Sequence, residues 1–133
     1  NSLGIKKTSF ALTALSMLSS ILGDKEECIR YAIEAVDLDN NNEDCLINLA
    51  RQCDIFDKPE QGINAALKVI EINKNSEKAC LLASKLFCKQ KLFTNARQML
   101  EQAIKDIDNS HLLDGELVRV RFLEGLLDKE SNS

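Results

Sequence analysis

The sequence predicts an all-α solenoid of repeated helix pairs. Three observations predict it. First, the chain aligns with itself twice, without a gap, at one constant shift. Leu12 falls on Leu46 and Cys80, Leu15 on Leu49 and Ala83, Val36 on Ile70 and Ile104, and Asn41 on Asn75 and Asn109. Second, the composition is that of helices. Ala, Leu, Lys, Glu and Gln dominate, with one Pro, five Gly and no Trp in 133 residues, and no aromatic β-branched runs. A hydrophobic share of 44% is enough for a core. Third, Cys28, Gly62 and Ala96 lie seven residues before Ala35, Val69 and Ala103. Two helical turns apart, these residues share a face where neighbouring helices can approach closely. One helix pair cannot bury its own apolar face, but stacked pairs can.

The units are 9–42, 43–76 and 77–110, each reading as two helices. First helices are expected at about 9–22, 43–55 and 77–89, with apolar residues at three- and four-residue steps, as in Leu46, Leu49, Ala50 and Cys53. Second helices are expected at 25–38, 59–72 and 93–107; Ile29, Ala32, Ile33 and Val36 form the stripe of the first of these. Gly23-Asp24 ends one helix and can cap the next. Pro59 suits a first turn, and Asp57 with Glu60 has capping-box spacing. Asn40-Asn41-Asn42, Asn75-Ser76 and Asn109-Ser110 supply the turns between units. The segment 111–128 breaks this phase. It reads as one terminal helix with Leu113, Leu117, Val120, Leu123 and Leu127 on one face, widened by Val118, Phe122 and Leu126. It is either a cap or the first helix of a further repeat. Residues 1–8 read as a tail, a cloning remnant or the end of a preceding helix, and 129–133 as a C-terminal tail. Both ends read as cuts in a longer solenoid.

At this point the chain resembles the tetratricopeptide repeat (TPR) family, whose 34-residue, two-helix unit follows W-x2-L-G-x2-Y…A-x3-F…A…P. The small-residue slots match, Leu15 and Leu49 match the Leu slot, and Ser16, Ala50 and Ser84 are small in the Gly slot. Phe87 fits the Tyr slot, while Ser19 and Cys53 depart from it. Leu12, Leu46 and Cys80 stand in the Trp slot, and Asn40, Lys74 and Asp108 in the Pro slot. The resemblance covers roughly 100 residues. Half-a-TPR and Sel1-like arrays fit less well because the spacing stays at 34. The resemblance implies a right-handed α-solenoid of three repeats plus the terminal helix.

Charge and motifs exclude several classes. A net charge of −4 and a pI of about 5.1 disfavour a general phosphate-binding surface. The five cysteines have gaps of 17, 8, 27 and 8 with no CxxC pair. They read as buried thiols of a reducing, cytoplasmic compartment, and no metal site is expected. KKTSFALTALSMLSSILG (6–23) imitates a signal peptide, but its apolar core is too short to span a bilayer and the repeat absorbs it. DLDNNNEDCLIN (37–48) opens like a calcium loop, yet Asn42 stands where Gly is needed and Asn48 where the closing Glu is needed. His111 is alone at a turn. With no nucleophile constellation, no phosphate-cradling loop and no cofactor motif, an enzyme is not expected.

The resemblance further implies that first helices line a concave groove. The predicted partner site is Thr13, Met17, Ile47, Asn48, Arg51, Lys78, Leu81, Leu82, Lys85 and Lys89. It is apolar toward the N-terminus and basic beyond Arg51. It suits a protein or peptide segment, extended or helical, with apolar anchors and an acidic stretch. The expected function is a non-catalytic scaffold or adaptor in an intracellular multiprotein complex. Some TPR co-chaperones clamp a chaperone's carboxylate tail. Asn48 and Lys78 match that pattern, but Thr13, Met17 and Leu82 do not, which argues against a chaperone clamp. Two other readings stand beside this one. In one, neighbouring repeats or subunits fill the groove. In the other, a nucleic-acid-associated subunit uses Lys85, Lys89, Lys91 and Arg97, although no interleaved aromatics offer stacking.

Overall fold

The computed structural model describes residues 7–131. Among them are seven helices and no strand: α1 Ser9–Ile21, α2 Lys25–Leu38, α3 Glu43–Ile55, α4 Pro59–Ile72, α5 Glu77–Lys89, α6 Phe93–Asp106 and α7 His111–Ser131. None is long and apolar enough to cross a membrane. The chain is an all-α solenoid of three helix pairs and a last helix. Most of the expected 1–8 tail lies outside the described residues.

The starts of α1, α3, α5 and α7 are set by four capping side chains, each one full period after the last. Thr8 Oγ1 accepts from the Ala11 N–H, Asn42 Oδ1 from Cys45, Ser76 Oγ from Ala79 and Ser110 Oγ from Leu113, at 3.0–3.3 Å. Each satisfies one of the donors a helix start leaves open. The turns inside the pairs repeat as well. Gly23, Asp57 and Lys91, again one period apart, hold the left-handed conformation that ends a helix, with φ of 76°, 59° and 59°. Asp57 therefore closes α3 and does not cap α4, contrary to the capping-box expectation. The N-cap of α4 is Lys58, without a side-chain hydrogen bond, and Pro59 starts the helix with its fixed φ.

The terminal segment does not break phase. Its first residue, His111, stands one full period after Glu77, the first of α5. The helix packs on α6 and α5 as α5 packs on α4 and α3, and it continues to Ser131 rather than ending at 128. Leu113, Leu117 and Val120 are buried, but Val118, Phe122 and Leu126 are exposed instead of widening the buried face. The sequence hides the phase because Asp114 and Arg121 stand where earlier units have Leu46 or Cys80 and Cys53 or Phe87.

One continuous core runs from Ile29 and Ala32 through Leu46, Ala66, Val69, Leu86 and Leu100 to Val120. Leu12, Ala35 and Cys45 form a smaller cluster at the α1 end. Each fully buried leucine contributes about 1.5–3 kcal/mol. The small-residue slots let the helices close: Cys28 and Ala96 are fully buried. At Gly62, an added Cβ would sit 2.8 Å from Leu86 Cδ1 and 3.0 Å from Cys53 Cβ, so α4 is wedged between α3 and α5.

Candidate peptide-binding groove

The first helices touch in series, α1 on α3, α3 on α5 and α5 on α7, whereas second helices do not touch one another among the described residues. Positions one period apart on α1, α3, α5 and α7 therefore form rows along one side of the solenoid. One row is Met17, Arg51, Lys85 and Arg119; another is Ala14, Asn48, Leu82 and Glu116. Two cavities open along it. The first, of about 300 Å³, is walled by Phe10, Thr13, Ala14, Met17, Ile47, Asn48, Arg51 and Lys78, with Asp44 among its other lining residues. The second, of about 390 Å³, is walled by Arg51, Lys78, Leu81, Leu82, Lys85, Glu116 and Arg119. Arg51 and Lys78 belong to both and mark the joint.

Of the ten sequence-predicted residues, only Lys89 lines neither cavity. Its Nζ donates to the Asp54 carbonyl and pairs with Asp54 Oδ1 at 2.7 Å. Lys85 reaches Asp54 Oδ2 at 3.6 Å. Asn48 walls the groove, but its amide is engaged on both sides. Gln52 Nε2 donates to its oxygen at 3.1 Å, and its nitrogen donates to Ser16 Oγ at 3.1 Å. Ser16 in turn donates to the Cys28 carbonyl at 2.8 Å. This buried chain ties α3 to α1 and α1 to α2. The other nitrogen-bearing groups of the groove centre are free: Arg51 and Lys78 are exposed and have no ion-pair partner among the described residues.

The α7 end contains side chains that sequence reasoning missed. Glu116 accepts two hydrogen bonds from the Arg119 guanidinium, each at 2.8 Å, and one from Ser84 Oγ at 2.7 Å. Burial pushes its carboxyl up, but the bonds from Arg119 and Ser84 more than offset this and leave it below the usual carboxylate range. The bonds to Glu116 also raise Arg119. Carrying the repeat shift one step further, from Leu82 to Glu116 and from Lys85 to Arg119, would have found both residues.

The rest of the chemistry is quiet. All five cysteines are free, and four are buried. Burial pushes the Cys53 and Cys80 thiols up to about 11, so both are protonated at neutral pH and are poor nucleophiles. In the basic run, Lys85 and Lys89 share the single Asp54 carboxylate, and Arg97 pairs with Glu101 at 2.6 Å and Glu124 at 2.8 Å.

No family model and no curated protein sequence matches the chain. Solved structures do. The first TPR domain of human RPAP3 superposes with a TM-score of 0.75 at 17% identity, over 95% of this chain and 97% of that one. The first TPR of Spaghetti (RPAP3), bound to the HSP90 peptide SRMEEVD, gives 0.70 at 16%, over 86% and 93%. The TPR domain of Sgt2 from Aspergillus fumigatus gives 0.74 at 13%, over 94% and 82%. The period, the helix pairing and these superpositions agree: this chain has the tetratricopeptide-repeat fold.

Proposed function

We propose that the chain is a non-catalytic protein-interaction module that binds an extended or helical peptide segment along α1, α3, α5 and α7. The observation that carries this reading is the pair of unpartnered cations, Arg51 and Lys78, at the joint of two cavities, with an apolar-walled pocket on the α1 side. An acidic side chain or C-terminus at the joint gains charge-assisted hydrogen bonds. An apolar side chain next to it fills the pocket formed by Ala14, Met17 and Ile47. Peptide binding by the fold supports the reading: one superposed domain is bound to an HSP90 peptide, and the second TPR domain of human RPAP3 is in complex with the HSP70 peptide SGPTIEEVD.

The ligand set differs from a carboxylate-tail clamp. The Asn48 amide is spent on Ser16 and Gln52, and Leu82 offers no donor. The units are 9–42, 43–76 and 77–110, followed by the terminal helix, and the setting is a scaffold or adaptor of an intracellular complex in a reducing compartment. A nucleic-acid surface is disfavoured because three of its four candidate cations are paired within the chain.

The test is selection from a phage-displayed random peptide library, with affinities of selected peptides measured by fluorescence anisotropy. The reading expects peptides that combine an apolar residue with an acidic one. It expects Arg51→Glu with Lys78→Glu to weaken them by about tenfold or more, with only a shallow salt dependence. Selected peptides that lack acidic residues, or that bind the double variant equally well, would refute it.

A further inference from the structure

The rows of the groove have a pitch. Neighbouring first helices touch directly, and hydrogen bonds cross between them, from Asn48 to Ser16 and from Ser84 to Glu116. Helices in direct contact lie about 8–10 Å apart. A ligand running along the rows therefore meets an equivalent position about every 8–10 Å.

Each regular backbone offers its own repeat on one side. A polyproline II chain presents every third residue, at about 9.3 Å. A β-strand presents every second, at about 6.6–6.8 Å, or every fourth, at about 13 Å. An α-helix presents every seventh, at about 10.5 Å. Only the polyproline II repeat falls inside the pitch. The helix repeat lies just beyond it, and the groove's width also counts against a helix. The groove is rimmed by Asp44 and Arg51 on α3, and by Lys78 and Lys85 on α5. Each pair is seven residues, about 10.5 Å, apart along its helix. That gap is no wider than a helix with its side chains, about 10–12 Å across.

One row states what such a chain carries. Met17, Arg51, Lys85 and Arg119 stand one period apart on α1, α3, α5 and α7. Met17 is apolar and 43% exposed. Arg51 is exposed and has no ion-pair partner among the described residues. The Lys85 side chain is 63% exposed and lies 3.6 Å from a carboxylate that Lys89 already pairs with at 2.7 Å. Arg119 is held by Glu116 at 2.8 Å and asks for nothing further.

Resting on the groove reading above, we propose that the ligand is a polyproline II segment that carries an apolar residue and two acidic residues at successive intervals of three. The apolar residue meets Met17 and the pocket beside it, the first acid meets Arg51, and the second meets Lys85. Lys78, on the opposite rim, adds positive charge at the joint between the two cavities.

The probes are fluorescein-labelled peptides, Leu-Pro-Pro-Glu-Pro-Pro-Glu and its reverse, titrated by anisotropy. Controls place the same leucine and two glutamates two or four apart, padded with proline to equal length, or seven apart in an alanine-rich helix. In one direction, the three-residue spacing is expected to bind about tenfold or more tighter than every control. Changing its second glutamate to glutamine should cost the wild type about threefold or more and Lys85→Ala little. Equal binding by the other spacings, or tightest binding by the helical peptide, overturns the proposal. So does a glutamine effect that is the same in both proteins. The groove reading survives these outcomes if Arg51→Glu with Lys78→Glu still weakens library-selected peptides. If that double variant leaves them unchanged, both fall.

Discussion

At the α1 end of the groove, Ser16 faces Asn48 across 32 residues of chain; at the α7 end, Ser84 faces Glu116 at the same separation. The slots are equivalent, two periods apart, and the hydroxyl is used in both. The partners differ. Asn48 is neutral, fully buried and closed into a chain with Gln52. Glu116 is ionised and clasped by Arg119. Between them the middle rung, Ala50 and Leu82, has no polar group. The backbone therefore supplies a repeated position, and the side chain decides whether it seals the groove, charges it or leaves it greasy. Glu116 engages Arg119, and the single Asp54 carboxylate engages Lys89 closely and Lys85 at 3.6 Å, so the groove cations without an ion-pair partner among the described residues are Arg51 and Lys78 at the centre.

The largest break in this comparison comes from the neutral rung. Asn48→Ala leaves a cavity, strands the Gln52 amide nitrogen and removes the bond that the Ser16 hydroxyl accepts, and should cost about 2–4 kcal/mol in denaturant unfolding. Giving the rung the middle rung's composition, Asn48→Leu with Ser16→Ala, should recover part of that loss. The charged rung should respond less and depend on pH. Glu116→Gln is expected to cost about 1–2 kcal/mol at neutral pH, through the loss of charge-assisted bonds.

The pH dependence follows from the direction of the shift. The carboxyl of Glu116 lies lower folded than unfolded, so its contribution is fully present above the unfolded value of about 4.3 and is lost as pH falls through the folded value. The gap between wild type and Glu116→Gln should therefore close below about pH 4 in denaturation curves, while the Asn48→Ala deficit persists. The smallest effect concerns the turns. Gly23 adopts its left-handed φ freely, but Lys91 adopts the equivalent one at a cost. Lys91→Gly should raise stability by about 0.5–1 kcal/mol, read as a higher thermal midpoint, and Gly23→Ala should lower it similarly.

The helix pairs were legible because their signals are local: capping side chains, a glycine turn, Pro59, and apolar stripes at helical spacing. The first helix ends at Ile21 and the sixth at Asp106, each one residue short of expectation, within ordinary fraying. The phase of α7 was not legible. Asp114 and Arg121 erase the apolar match there, and Ser110, which reads as a turn residue in the sequence, is the cap that carries the period into α7. In the groove, the repeat shift placed residues in rows but could not say which charges were spent. Asp54 lies between the two lysines only once α3 and α5 are stacked, and the engagement of Asn48 depends on a serine in the preceding unit. Pairing is a property of packing across units, and a periodic sequence states it only indirectly.

The central claim is that Arg51 and Lys78 read an acidic group on the peptide. Charge exchange tests it most directly. The best peptide from the library selection, and a copy with its acidic residues changed to Lys, would each be titrated against the wild type and against Arg51→Glu with Lys78→Glu. The account predicts that matched pairs bind within about tenfold of each other and that both crossed pairs are weaker by about tenfold or more. Crossed pairs binding as well as matched ones would contradict it.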